Sequence, residues 1–160
     1  MRNYFNVPTM EARQVFDPNR PYAFLGGTIN GSTWRNKLAP QLTCEFFDPV
    51  VLEWSPDDRK REDDAKTQAT IHVYALTPKQ TGFYGIAEMT QAVCGLSQRK
   101  VALLFLDEDD GTTYEEHQAS SVAAIRELLS AYVNVSIFDS VDHLAAWLNT
   151  ELQDGNQGTA

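Results

Sequence analysis

The chain is poor in what several function classes require. Only two cysteines occur in 160 residues. Cys44 and Cys94 form no CxxC and have apolar neighbours, which argues against a disulfide or thiolate metal site and for buried free thiols in a reducing compartment. Basic charge is scarce: 13 Lys and Arg against 22 Asp and Glu leave a formal charge of -9. Without clustered cations, a broad surface for nucleic acid or an anionic membrane is disfavoured. Nowhere do about 18 apolar residues run together, so no membrane span is expected. No basic stretch followed by an apolar run opens the chain, so no signal peptide is expected either. Small, weakly charged partners in the cytoplasm fit this composition better.

A phosphate-binding glycine motif is missing as well. "AFLGGTING" (Ala23 to Gly31) is an apolar run broken by glycines. It has no Gly-Lys-Ser/Thr ending through which a lysine would reach phosphates. Gly26, Gly27 and Gly31 also miss the GxGxxG spacing of dinucleotide-binding turns. The loop either lets a ring or sugar lie close against backbone without Cβ atoms or only makes a turn.

What is present is a strict alternation of strands and helices. Residues 1–20, with Pro8 and Pro18, read as an extended arm. Tyr22 to Leu25 is a buried strand, and Ser32 or Thr33 can cap a helix carrying Trp34 and Leu38 that stops near Pro40. Thr43 to Phe47 is a second strand, and Pro49 in "FDPVVLEW" then blocks a continued ladder. In "SPDDRKREDDAKTQA", Ser55 as cap, Pro56 at the first helical position and acids in the first turn predict a polar helix. Thr70 to Leu76 is a third strand, and "GIAEMTQAVCG" is a helix ending at Gly95. Lys100 to Leu106 is a fourth strand buried on both sides, followed by an acidic loop, "DEDDGTT". Glu115 to Tyr132 is an amphipathic helix, Val133 to Phe138 a fifth strand, and Ser140 starts a helix striped with Val141, Leu144, Leu148 and Leu152. Residues 153–160 read as a frayed tail.

Alternation with short connections implies one domain over 1–160: an α/β, three-layer, doubly wound sheet of five parallel strands, flavodoxin-like in order. Ligands of such sheets bind at the carboxyl ends of the strands. There the loops after the first strand (Gly26 to Ser32), the second (Asp48 to Trp54) and the third (Thr77 to Gly85) converge.

Glu88, in "TGFYGIAEMTQAV", is the most informative residue. If its helix starts near Tyr84 or Gly85, the carboxylate lies in about the first turn, where the helix N-terminus stabilises an anion. It can then act as a nucleophile toward an electrophilic sugar carbon, or simply satisfy free amides as first-turn acids do. His72, inside the third strand, reads as a core or surface residue rather than a catalyst. His117 and His143 give no metal spacing with the cysteines, so no metal or cofactor is expected.

"FLGGTINGSTW", "FDPVVLEW" and "ATIHVYALTPKQTGFYGIAEMTQAV", in that order and at these separations, resemble the nucleoside 2-deoxyribosyltransferase superfamily. The likeness is to its branch with an "FLAGSI...W" start and an "NPRR...W"-like second loop, and it covers roughly residues 22 to 106. It implies that Glu88 attacks the anomeric carbon of a 2'-deoxynucleoside, releases the base and forms a covalent deoxyribosyl-enzyme that a second base resolves, with water giving hydrolysis instead. It also implies an acid seven positions before Ala69 that assists the base and proton transfer, which is Glu62, with Asp63 second; both can equally be solvated acids of a charge-rich helix.

The resemblance further implies that Trp34 and Trp54 frame the base, unless each is a core anchor under its loop. Asp48 stands where relatives have Asn and can bond the base or its own loop. Phe24, Gly26, Gly27, Thr28 and Gly85 complete the substrate-binding set. Two departures are visible. Many relatives have tyrosine at Phe24, whose hydroxyl orients the nucleophile, so that Tyr22, Tyr74, Tyr84 or nothing replaces it. The loop "TPKQTGFYG" also lacks the aspartate of many members, leaving Gln80 and Thr81 as polar candidates. The expectation is a cytoplasmic, homo-oligomeric transferase acting on nucleosides and free nucleobases, with no nucleic acid or membrane partner. The alternatives are an N-hydrolase of nucleosides or deoxynucleotides with the same nucleophile, and a non-catalytic nucleotide-sensing or interaction module of TIR-like fold.

Overall fold

The first strand, β1 (Tyr22–Gly27), is buried along nearly its whole length because both of its faces are covered. Tyr22 and Phe24 point to one side of the sheet and Ala23 and Leu25 to the other. The same holds for β3 (Ile71–Leu76) and, after exposed Lys100, for β4 (Lys100–Phe105). Such continuous apolar runs are what the interior of a parallel sheet demands. β2 (Glu45–Phe47) and β7 (Val135–Phe138), shorter and only partly buried, form the edges. The order is β2-β1-β3-β4-β7 with every pair parallel, so the α/β, three-layer, five-stranded flavodoxin-like architecture read from the alternation is the observed one. The computed structural model describes residues 17–51, 55–95 and 98–154. Most of the expected N-terminal arm, Trp54 and residues 155–160 of the expected tail lie outside them.

Helices cover both faces. Helix α2 (Pro56–Gln68), α3 (Tyr84–Gly95) and α4 (Glu116–Ser130) lie over the face carrying Tyr22, Phe24, Tyr74, Leu103 and Phe105. Helix α1 (Trp34–Leu38), prolonged by a 3-10 turn at Ala39–Gln41, and α5 (Val141–Asp154) cover the other. Helix α2 begins as its sequence says: Ser55 and Asp58 form a reciprocal capping box behind Pro56. Helix α5 includes Gln153 and Asp154, so the tail is helical to that point.

Three local readings are corrected. The second strand starts at Glu45 rather than Thr43, because the Thr43 amide donates to Asn149 and its hydroxyl accepts from Gln153, both on α5. The acidic loop is a hairpin, β5 (Glu108–Asp109) with β6 (Thr112–Thr113). Its turn residues Asp110 and Gly111 have φ of +50° and +78°, the two positive values of a tight primed turn. Finally, neither Ser32 nor Thr33 caps α1. Their hydroxyls donate to Asp109 and Asp110, so the hairpin is fastened to the loop after β1.

Candidate functional site

The strand order reverses between β1 and β3, and the crevice of such a sheet opens there, at the carboxyl ends. The loop after β1 is sealed onto β3. A Cβ on Gly26 would meet the Tyr74 ring, with Cδ1 at 2.6 Å. At Gly27, φ is +101° and a Cβ would strike the Ala75 backbone, whose nitrogen lies at 2.5 Å. The space these glycines leave is therefore filled by β3. Thr28 is wholly buried: its amide and hydroxyl donate to the Ala75 carbonyl at 2.8 and 3.2 Å, and its hydroxyl accepts from the Thr77 amide at 3.1 Å.

Below this loop, Trp34 is also fully buried and its indole donates to the Thr28 carbonyl at 2.9 Å, which is the core-anchor alternative. Arg35 lies over the Trp34 ring and donates to the Thr28 and Leu25 carbonyls at 2.6 and 3.1 Å, while its Nε faces buried Asp48 at 3.2 Å. Burial pushes the guanidinium down from its usual value, opposed by Asp48 and then by Glu62 and Glu88. Asp48 also accepts from the Val50 amide. It thus joins the first two loops.

The carboxylates gather on the α2–α3 side. Helix α3 starts at Tyr84, so Glu88 is its fifth residue and lies beyond the first turn. Its counter-charge is not the helix terminus but Lys66 of α2, whose ammonium pairs with Glu88 and with Glu62 at 2.8 Å and lies 5.4 Å from the centre of the Phe24 ring. Side chains of Lys66 and Glu88 are only 21% and 14% exposed. Burial alone would lower the ammonium, but its hydrogen bonds with Glu62 and Glu88 outweigh that and hold it above its usual range. Asp63, one position on from Glu62, is exposed, so of the two expected acids α2 brings Glu62 to Glu88.

Phe24 is buried core, and its ring is the floor under Lys66. Tyr74 and His72 project from β3 onto the same face and flank Phe24 at ring separations of 6.3 and 5.9 Å. The Tyr74 phenol is pushed above its usual range by burial and then by the charge of Glu88. Burial, with Arg99 and Lys66 adding to it, lowers His72 to about 4. Both are neutral at pH 7. The site therefore sets two carboxylates and one ammonium on an aromatic floor.

The third loop closes the mouth. Asn30 donates to Thr81 Oγ1 at 2.6 Å, tying the first and third loops together. Gln80 folds back onto its own loop at Gly82 and lies 3.4 Å from where a Cβ on Gly85 would stand. At the head of α3, Phe83 and Tyr84 are 86% and 70% exposed. Tyr84 is one helical turn from Glu88, a spacing legible in the sequence. Lys66 was missed: Glu62 and Lys66 are four apart, a pairing spacing, but nothing in that charge-rich run singles out the lysine. Cys44 is half-buried, its thiol pushed up to about 11 by burial, and Cys94 is exposed rather than buried. Among the described residues, no three His, Cys, Asp or Glu side chains stand together as a metal site, and no helix is long and apolar enough to cross a membrane.

No family model matches the chain, and neither curated proteins nor solved structures give a match.

Proposed function

We propose that the protein is a nucleoside 2-deoxyribosyltransferase, cleaving the N-glycosidic bond of a 2'-deoxynucleoside and passing the sugar to another nucleobase. The observation that supports this reading is the pairing of Glu88 with Glu62 through Lys66 beside the β1/β3 switch point. Double displacement at an anomeric carbon needs two carboxyl groups about 5 Å apart, one to attack and one to exchange a proton. Sharing one ammonium brings the two carboxylates close together. In the first step a Glu88 oxygen bonds to C1' as the C1'–N bond breaks, its electron pair leaving with the base, which takes up a proton. In the second a nitrogen of the incoming base displaces the glutamyl ester and loses a proton. Glu62, an anion beside Glu88, takes the proton that the incoming base loses and passes it to solvent, from which the departing base draws its own, and the exposed ring of Tyr84 offers a stacking surface for a base. The same reading carries a homo-oligomer, its site completed from a neighbouring chain.

Incubation with deoxyinosine and free cytosine, with products separated by chromatography, tests it. Deoxycytidine together with hypoxanthine is the expected outcome. Hypoxanthine with free deoxyribose means that water is the acceptor, and no turnover at micromolar enzyme means a binding module. Glu88→Ala should lower either activity by at least about 10³-fold, the scale of losing a nucleophile that acts as part of a unit; unchanged turnover rules Glu88 out.

A further inference from the structure

We propose that Lys66 is the positioning residue of this site, its one ammonium holding Glu62 and Glu88 side by side as two anions. The inference rests on the reading of Glu88 as nucleophile, and it concerns a residue the sequence did not single out.

Three observations carry it. Lys66 is not an ordinary surface cation, since its side chain is 21% exposed against 59% for Lys100, which pairs with Glu151 at the surface. Exposed pairs of that kind contribute little, whereas a half-enclosed pair fixes geometry. The other cations nearby are committed elsewhere: Arg35 to Asp48 and two carbonyls, Arg99 to the Lys66 and Ala69 carbonyls. The remaining titratable groups facing the cluster, Tyr74 and His72 from β3 and Tyr84 from α3, supply no positive charge at neutral pH. Among the described residues Lys66 is the cation that pairs directly with both carboxylates, which would otherwise repel each other, while buried Arg35 adds only a weaker attraction to each.

Having two partners rather than one matters to the chemistry. Before reaction the three groups carry a net single negative charge, which favours the positive charge that develops on the sugar as the base departs. When Glu88 becomes an ester it stops being an anion. An ammonium paired only with Glu88 would then be stranded in a half-buried place, at a cost, but Lys66 keeps Glu62.

Kinetics with deoxyinosine and a titration of side-chain carboxyl carbons in glutamate-labelled protein test this together. Removing the cation in Lys66→Met should lower kcat by about 10²-fold, the scale of a misplaced reacting group, with KM nearly unchanged. The acidic limb of the kcat profile should move to higher pH by about one unit or more, as one carboxylate now takes up a proton more readily beside the other. Lys66→Arg should restore most of kcat. Glu62→Gln removes the like charge and keeps the volume, so it should move the Glu88 titration to lower pH. If Lys66→Met does not fold, Lys66→Gln, neutral and polar, carries the same two readouts. Variants whose carboxyl titrations and acidic limbs match the parent would overturn the inference. If the parent protein turns over no deoxynucleoside, the proposed function fails, and the carboxyl titrations by themselves decide whether Lys66 holds both acids.

Discussion

At Gly27 one hydrogen atom in place of a methyl group decides whether the crevice can form. Of the two expectations for this loop, a ligand against the backbone or only a turn, the first implies that a larger residue here weakens substrate binding and spares the fold. The backbone of Ala75 occupies that space, and φ is +101°. Gly27→Ala should therefore lose about 3 kcal/mol or more of folding stability, from the left-handed backbone and the overlap together. Urea denaturation reads this directly, and a variant with an unchanged midpoint would mean that β3 yields. Trp34 and Thr28 teach the same lesson. Each was legible as a residue of the crevice loops, but whether a tryptophan or threonine faces ligand or core depends on strand partners that the linear chain does not display. Glu88 was legible from its position after β3. Its partner Lys66 was not, because 22 residues separate them and only the packing of two helices joins them.

Helix α2 is the element on which the site leans, and its grip on the sheet is slight. It offers Ala65, and Ala69 at its C-terminal cap, to the core, held by the Tyr22 hydroxyl donating to the Ala65 carbonyl at 2.8 Å and by Arg99. Small side chains let the helix come near the sheet, and Lys66, one after Ala65, reaches over Phe24 with Glu62, three before it, as its partner. Its stability therefore draws on local features, above all the Ser55–Asp58 capping box. Ser55→Ala should cost about 1 kcal/mol and speed amide exchange in the first turn of α2 more than in α3 or α5; uniform exchange would show that the cap is not what anchors it. The start of this helix was readable from Ser55 and Pro56. Which of its acids faces inward was not, since a helix without an apolar stripe has no phase until it meets a partner. The β5–β6 hairpin went unread for a related reason: Asp110 and Gly111 are a strong turn pair, but the strands they join are charged and polar rather than alternately apolar.

For the molecule as a whole, the titration of His72 sets a pH window. Its pKa near 4 lies below the unfolded value of about 6.5, so between those limits the unfolded chain binds more protons. Stability is therefore full above about pH 6.5 and falls as pH drops toward 4, by about 3 kcal/mol in the limit. Asp110, its carboxyl held below the usual range chiefly by Lys37, and Asp58, held down chiefly by Ser55, lose most of their contributions below that window. Melting temperatures between pH 4 and 7 should show the slope, and His72→Leu should flatten it; an unchanged slope in the variant would assign it to other groups.

The five-stranded order was legible because apolar runs and short connections leave few ways to close a parallel sheet, and it carries a consequence in time. The two strands that frame the crevice are neighbours in space, but Thr28 and Ala75, which bond across it, are 47 residues apart in the chain. Pairing over that distance comes late and slowly in folding. Glu88 follows β3, so a chain leaving the ribosome carries its glycine loop for some time before there is anything for the loop to close against. Glu88 and that loop come together only once α3 has been made.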